Sequence, residues 1–173
     1  MKRFGFKEIN LRNWLEPDDA LRGFVRISPD GQLHTVTGEE YLQHILSPKL
    51  HASVPSDVQA LFEVARGAMV YGYFFYPLYT LAVEQLFRVV EAALAHKCKA
   101  LGAPKSIRTF EKRIKWLMEK AVISRPESDR WHAARQMRNA ASHPERQMIL
   151  APGNAIGILE RVVDDINSLF SSG

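Results

Sequence analysis

From Ser56 onward the apolar residues recur at helical spacing. Val58, Leu61, Phe62, Ala65, Ala68, Met69 and Gly72 share one face of a first helix, which Ser56 or Asp57 can cap. The aromatic run YGYFFYPLY (71–79) ends that helix, and Pro77 suits the first turn of the next. A second helix is expected from Pro77 to Leu101, with Gly102 and Pro104 as stop signals. It is apolar almost all round, which predicts a central position. Its one polar line, Thr80, Glu84, Arg88 and Glu91, stacks along a single side. A third helix covers 109–121, with Phe110, Ile114, Leu117 and Ala121 as its stripe and Lys112 and Lys115 opposite. A fourth runs over 127–143, with Trp131, Ala134, Met137 and Ala141 facing inward. A fifth covers 154–170, on Leu159, Val162, Val163, Ile166, Leu169 and Phe170. Short connections favour antiparallel neighbours. The fold class is therefore all-α, an antiparallel helical bundle of about five helices over residues 56–173.

Residues 1–55 follow a different pattern. FVRISPDGQLHTVT (24–37) alternates on both sides of Ser28-Pro29-Asp30-Gly31, which predicts a small β-hairpin. Prolines at 17, 29, 48 and 55 break up the surroundings, so this region reads as an arm or small appendage.

Composition adds few constraints. The 173 residues are 46% apolar and 24% charged, which suits one globular domain. Cys98 is the single cysteine, so no internal disulfide forms, and a reducing, cytoplasmic setting is expected. No Cys/His spacing suggests zinc, and neither metal nor cofactor is expected. Burial as a small residue is expected for Cys98. The N-terminal stretch has no apolar core of signal-peptide length. Residues 67–83 carry no charge, yet they fall short of the roughly 20 residues of a span and contain Pro77, so no membrane segment is expected.

Charge changes the picture more. Residues 1–104 hold 11 basic and 11 acidic residues, and 147–173 hold 1 and 3. Residues 105–146 hold 11 basic and 5 acidic, a local net of +6. Such a field draws in polyanions. Lys112, Arg113, Lys115, Arg130, Arg135 and Arg146 are candidate phosphate contacts there. Core and turn packing is the expected role of the aromatic run, with base stacking as the alternative.

Inside the basic segment lies MRNAASHPE (137–145). On a helical wheel Arg138 falls between Trp131 and Ala134, on the core-facing side, where its guanidinium needs a counter-charge. Glu84 or Glu91 can supply it. Asn139 and His143 are four apart, on one side of the helix. Pro144 disfavours helical geometry at His143, which frees the imidazole where the helix ends. A histidine that can move a proton beside an arginine that can hold negative charge suits attack on a phosphodiester. The same residues can instead satisfy the last carbonyls of a helix.

The segment RNAASH resembles the Arg-x4–6-His signature of the HEPN superfamily, including the polar residue after the arginine. Its setting also resembles that family, in a penultimate helix that follows a long helix bearing VEQLFRVVE (83–91) and precedes an amphipathic closing helix. The resemblance covers about 56–170. It implies a compact α-helical bundle and a metal-independent endoribonuclease, of the kind found in toxin–antitoxin and phage-defence systems. It implies Arg138, Asn139 and His143 as catalytic residues, supported by an acidic residue for which Glu84 matches best and Glu91 second. Substrate contacts are expected from Arg135, Arg146, Lys112 and Lys115. The implied partners are RNA, a second copy of the chain that brings two His143 side chains to one cleft, and an antitoxin protein. A non-catalytic HEPN module that binds nucleotide, RNA or a protein is the alternative.

Overall fold

The computed structural model describes residues 7–21, 25–141 and 149–171. Within them the chain is an all-α bundle with one small hairpin. The elements are β1 (Val25–Ile27), β2 (Leu33–Thr35), α1 (Gly38–Leu46), α2 (Ser56–Tyr71), α3 (Leu78–Ala100), α4 (Phe110–Glu119), α5 (Arg125–Ala141) and α6 (Pro152–Phe170).

The hairpin lies where alternation predicts it. Its strands pair antiparallel, Val25 with Thr35 and Ile27 with Leu33. Gly31, at φ 82°, takes the left-handed position of the turn. Val25, Ile27 and Leu33 share one face and are exposed.

Six α-helices are present among the described residues, one more than the periodicity predicts, besides a single 3-10 turn at Asp19–Leu21. The addition is α1, in the region read as an appendage. Thr37 caps it, accepting from the Glu40 backbone N–H, while the Glu40 side chain accepts from the Thr37 N–H. α1 packs on α2 and α6, and Leu21, Ile45 and Val54 join the same core as the long helices. The bundle therefore reaches N-terminal of Ser56. Asp18 ties the preceding segment to the α2–α3 turn. It is buried, and its carboxylate accepts from the backbone N–H groups of Tyr76 (2.9 Å) and Ala20 (3.1 Å).

α3 is the axis of the bundle, as its all-round apolar sequence predicts. α2, α4, α5 and α6 all pack on it. α2 runs antiparallel to α3, because Asp57 at the start of one meets His96 near the end of the other at 2.6 Å. α6 lies beside α3 in the same direction. Leu150, just ahead of α6, donates to Thr80 Oγ1 at 3.2 Å, and Lys97 lies over the Phe170 ring at the far ends. The aromatic run is mainly packing: Tyr76 and Tyr79 are buried edge to face. The turn is tight at Gly72, where an added Cβ would sit 2.9 Å from the Met69 carbonyl oxygen and from the Tyr79 ring.

Helix ends differ from expectation in two places. Pro55 rather than Ser56 or Asp57 holds the cap position of α2, and no side chain caps it. α4 stops at Glu119, and Ala121 leaves the apolar stripe to adopt φ 55°. The Ala121 N–H donates to the Met118 carbonyl and the Val122 N–H to the Leu117 carbonyl. This is a Schellman closure with alanine where glycine is usual. Among the described residues no helix is long and apolar enough to cross a membrane.

Candidate functional site

The site grows from the polar line of α3. Glu91 lies on the side of α3 where α4 and α5 both pack. It meets an arginine from each. Arg138 Nη2 of α5 donates to Glu91 Oε2 at 3.3 Å, and Arg113 Nη1 of α4 stands 3.6 Å from Glu91 Oε1. One carboxylate thus serves two guanidiniums on two helices.

A second carboxylate repeats the arrangement alongside. Glu111 of α4 pairs with Lys115 at 3.0 Å and with Arg135 of α5 at 3.8 Å. The Lys115 hydrogen bond and charge, followed by the Arg135 charge, hold the Glu111 carboxyl below its ordinary range, and nearby His132 adds to them. Arg135 Nε is buried with no hydrogen-bond partner. Across the α4–α5 face, Arg113, Arg135, Arg138 and Lys115 therefore meet Glu91 and Glu111, for a net of +2. Lys112 lies on the same helix and is exposed.

Two sequence-based placements change. Arg138 does not face the core: its side chain is 45% exposed. The stripe residues next to it, Ala134 and Met137, are themselves only half-buried, and a long stem lets the guanidinium reach outward along the bundle surface. The acid beside it is Glu91, not Glu84. Glu84 lies seven residues earlier, about 10.5 Å along the α3 axis at 1.5 Å per residue. It is half-buried and makes no ion pair among the described residues. Arg138 and Leu150, which meet α3 at Glu91 and Thr80, bracket Glu84 on the same helix.

Asn139 is exposed beside Arg138, whose Nη1 donates to Asn139 Oδ1 at 3.5 Å. His143 and Arg146 lie outside the described residues. Cys98 is buried, and burial pushes its thiol up against a smaller opposing effect of the Arg113 charge. Among the described residues, His, Cys, Asp and Glu side chains nowhere gather in threes to hold a metal ion.

Residues 69–169, more than half of the chain, match the family described as Domain of unknown function (DUF4145). The chain belongs to the DUF4145 family. The DUF4145 match starts near the end of α2 and takes in α3, α4, α5 and nearly all of α6. It contains Glu84, Glu91, Arg113, Arg135 and Arg138, and leaves out the hairpin and α1. No curated protein and no solved structure matches the chain.

Sequence reasoning did not find the shared use of Glu91 or the role of Glu111. Both acids were within reach of pattern analysis. Glu91 is on the polar line of α3, and Glu111 stands four residues before Lys115, the favourable order for a helical ion pair.

Proposed function

We propose that this DUF4145 chain is a metal-independent endoribonuclease of HEPN type. The observation that carries the reading is Arg138. It is held at the surface by an acid from the central helix, inside a face of net positive charge, one residue before Asn139 and five before His143. Glu91 fits the role of the supporting acid better than Glu84, because it is the carboxylate that Arg138 meets.

The chemistry follows from these groups. The 2′-hydroxyl of RNA attacks the adjacent phosphorus, and the bond to the 5′-oxygen breaks. The products carry a 2′,3′-cyclic phosphate and a 5′-hydroxyl. His143 transfers protons, Arg138 and Asn139 meet the charge that builds on phosphate, and Arg135, Arg146, Lys112 and Lys115 hold the strand. Cleavage needs a base and an acid together. A symmetric homodimer supplies both as two His143 side chains at one cleft. A cytoplasmic toxin–antitoxin or phage-defence setting, with an antitoxin protein as partner, goes with this activity.

The test is cleavage of several RNAs in EDTA by wild type, Arg138→Ala and His143→Ala. Wild type is expected to release cyclic-phosphate ends and both variants to lose at least about a hundredfold in rate. Equal rates for all three would reject the nuclease reading. RNA or nucleotide binding that depends on Arg138 without turnover would assign the chain as a non-catalytic module.

A further inference from the structure

We propose that Arg113 of α4 is a second phosphate-binding residue of the Arg138 site, with Glu91 holding both guanidiniums ready for the backbone of one RNA strand. The inference rests on the RNA reading above and adds to it an arginine of α4 that shares the acid of Arg138.

The fold makes little use of the Arg113 guanidinium. Its side chain is only 18% exposed, and a guanidinium that deep normally has its donors taken up. Arg113 has five N–H donors. Its one charge contact among the described residues is Glu91 Oε1 at 3.6 Å, well beyond the roughly 2.7–2.9 Å of a charge-assisted hydrogen bond. Its guanidinium nitrogens are not among the buried atoms that lack partners, so solvent still touches them. A polar ligand that arrives from solvent can therefore reach donors that the protein leaves open.

The geometry around Glu91 suggests which ligand. Arg138 approaches Oε2 and Arg113 approaches Oε1. Two guanidiniums from two helices thus converge on an anion with a pair of acceptor oxygens. A phosphodiester has the same requirement, two non-bridging oxygens and one negative charge. Two guanidiniums thus face one carboxylate, and Arg113 is the one held only at 3.6 Å. Arginine suits this role better than lysine, because its planar fork meets two oxygens at once. Glu111 with Arg135 and Lys115 repeats the arrangement alongside, where the same strand can continue.

The experiment is fluorescence anisotropy with a short labelled single-stranded RNA over a series of NaCl concentrations. It compares wild type with Arg113→Ala, Arg113→Gln, Arg113→Lys, Arg138→Ala, and Arg66→Ala as a control. Arg66 is on α2, which packs on α1 and α3 but not on α4 or α5, and its partner is Glu63 at 2.6 Å. Circular dichroism melts show which variants are folded at the assay temperature, and the glutamine variant carries the comparison if alanine unfolds. Arg113→Ala or Arg113→Gln should weaken binding about tenfold, the loss of one hydrogen-bonded charge contact. Each should also make the salt dependence shallower by about 0.7 in log–log slope, one phosphate on a single strand. Arg113→Lys should keep the slope and lose part of the affinity. Wild-type affinity and slope in the alanine and glutamine variants, with weakened binding by Arg138→Ala, would overturn the role of Arg113 and leave the RNA reading standing. RNA binding absent from wild type, or unchanged by Arg138→Ala, would overturn both.

Discussion

Removing the hydroxyl of Tyr79 should make the protein more stable, against the usual direction for truncation in a core. Tyr79 is fully buried at the start of the central helix, and its hydroxyl oxygen has no hydrogen-bond partner. In the unfolded chain that hydroxyl is hydrated; in the fold it is not. An unmet buried hydroxyl costs about 1–3 kcal/mol, whereas losing one oxygen's packing contacts costs a few tenths. Tyr79→Phe should therefore gain about 1 kcal/mol, which for a chain of this size raises Tm by about 2–4 °C. Urea denaturation followed by circular dichroism should show a higher midpoint with an unchanged slope. A second readout comes from alkali. Burial, then neighbouring Tyr41, Tyr76 and Tyr73, push the Tyr79 phenol above its ordinary 10.0. Its folded value exceeds its unfolded one, so the wild type loses stability as pH rises past the unfolded value, and the Phe variant loses less. A Tm that falls by about 2 °C or more at neutral pH would mean that the hydroxyl has a partner, and the reasoning would fail.

Ala121 pays about 1–2 kcal/mol for its left-handed backbone, and glycine gives back roughly 0.5–1 kcal/mol in unfolded-state freedom. Ala121→Gly should accordingly raise Tm by about 2 °C in a thermal melt. Asp18→Ala leaves the buried Tyr76 N–H without its acceptor and should lower stability by about 1–3 kcal/mol in urea titration, with Asp18→Asn in between. Glu127 at the start of α5 accepts from the Ser124 N–H at 2.8 Å, and hydrogen bonds from Ser124 hold its carboxyl below 4.5. Its folded value is the lower one, so its stabilisation is present above the unfolded value and is lost as pH falls through the folded value. Melts across the acid range should therefore fall less steeply for Glu127→Gln than for wild type. Asp165 acts the other way, since burial raises its carboxyl despite Arg130 at 3.0 Å, and protonation relieves that cost.

The long helices were legible because each buries a stripe that spans several turns. Leu159, Val162, Val163, Ile166 and Leu169 are all buried, as the 3.6-residue period requires. α1 was missed because nine residues with two buried side chains, Tyr41 and Ile45, give too few repeats for a period to show. Its start was nonetheless written in Thr37-x-x-Glu40, and that of α5 in Ser124-x-x-Glu127, two capping patterns that need no period. The end of α4 was hidden for a different reason. A glycine at 121 would have announced the left-handed residue, whereas alanine extends the apolar stripe by one more step.

The choice between Glu84 and Glu91 shows where reading along one helix stops. Both lie on the polar line of α3, and a wheel projects them onto nearly the same direction. A wheel has no axial coordinate, however, and seven residues separate the two acids by about 10.5 Å. Which of them meets Arg138 depends on how far α5 slides along α3. That register is fixed by packing between α3, α4 and α5, not by spacing within any one of them. The same contacts bring Arg113 to Glu91. The charge pattern already marks Arg113 as a candidate phosphate contact, but its place beside Arg138 shows only when three helices are assembled, and a motif search over α5 alone would not include it.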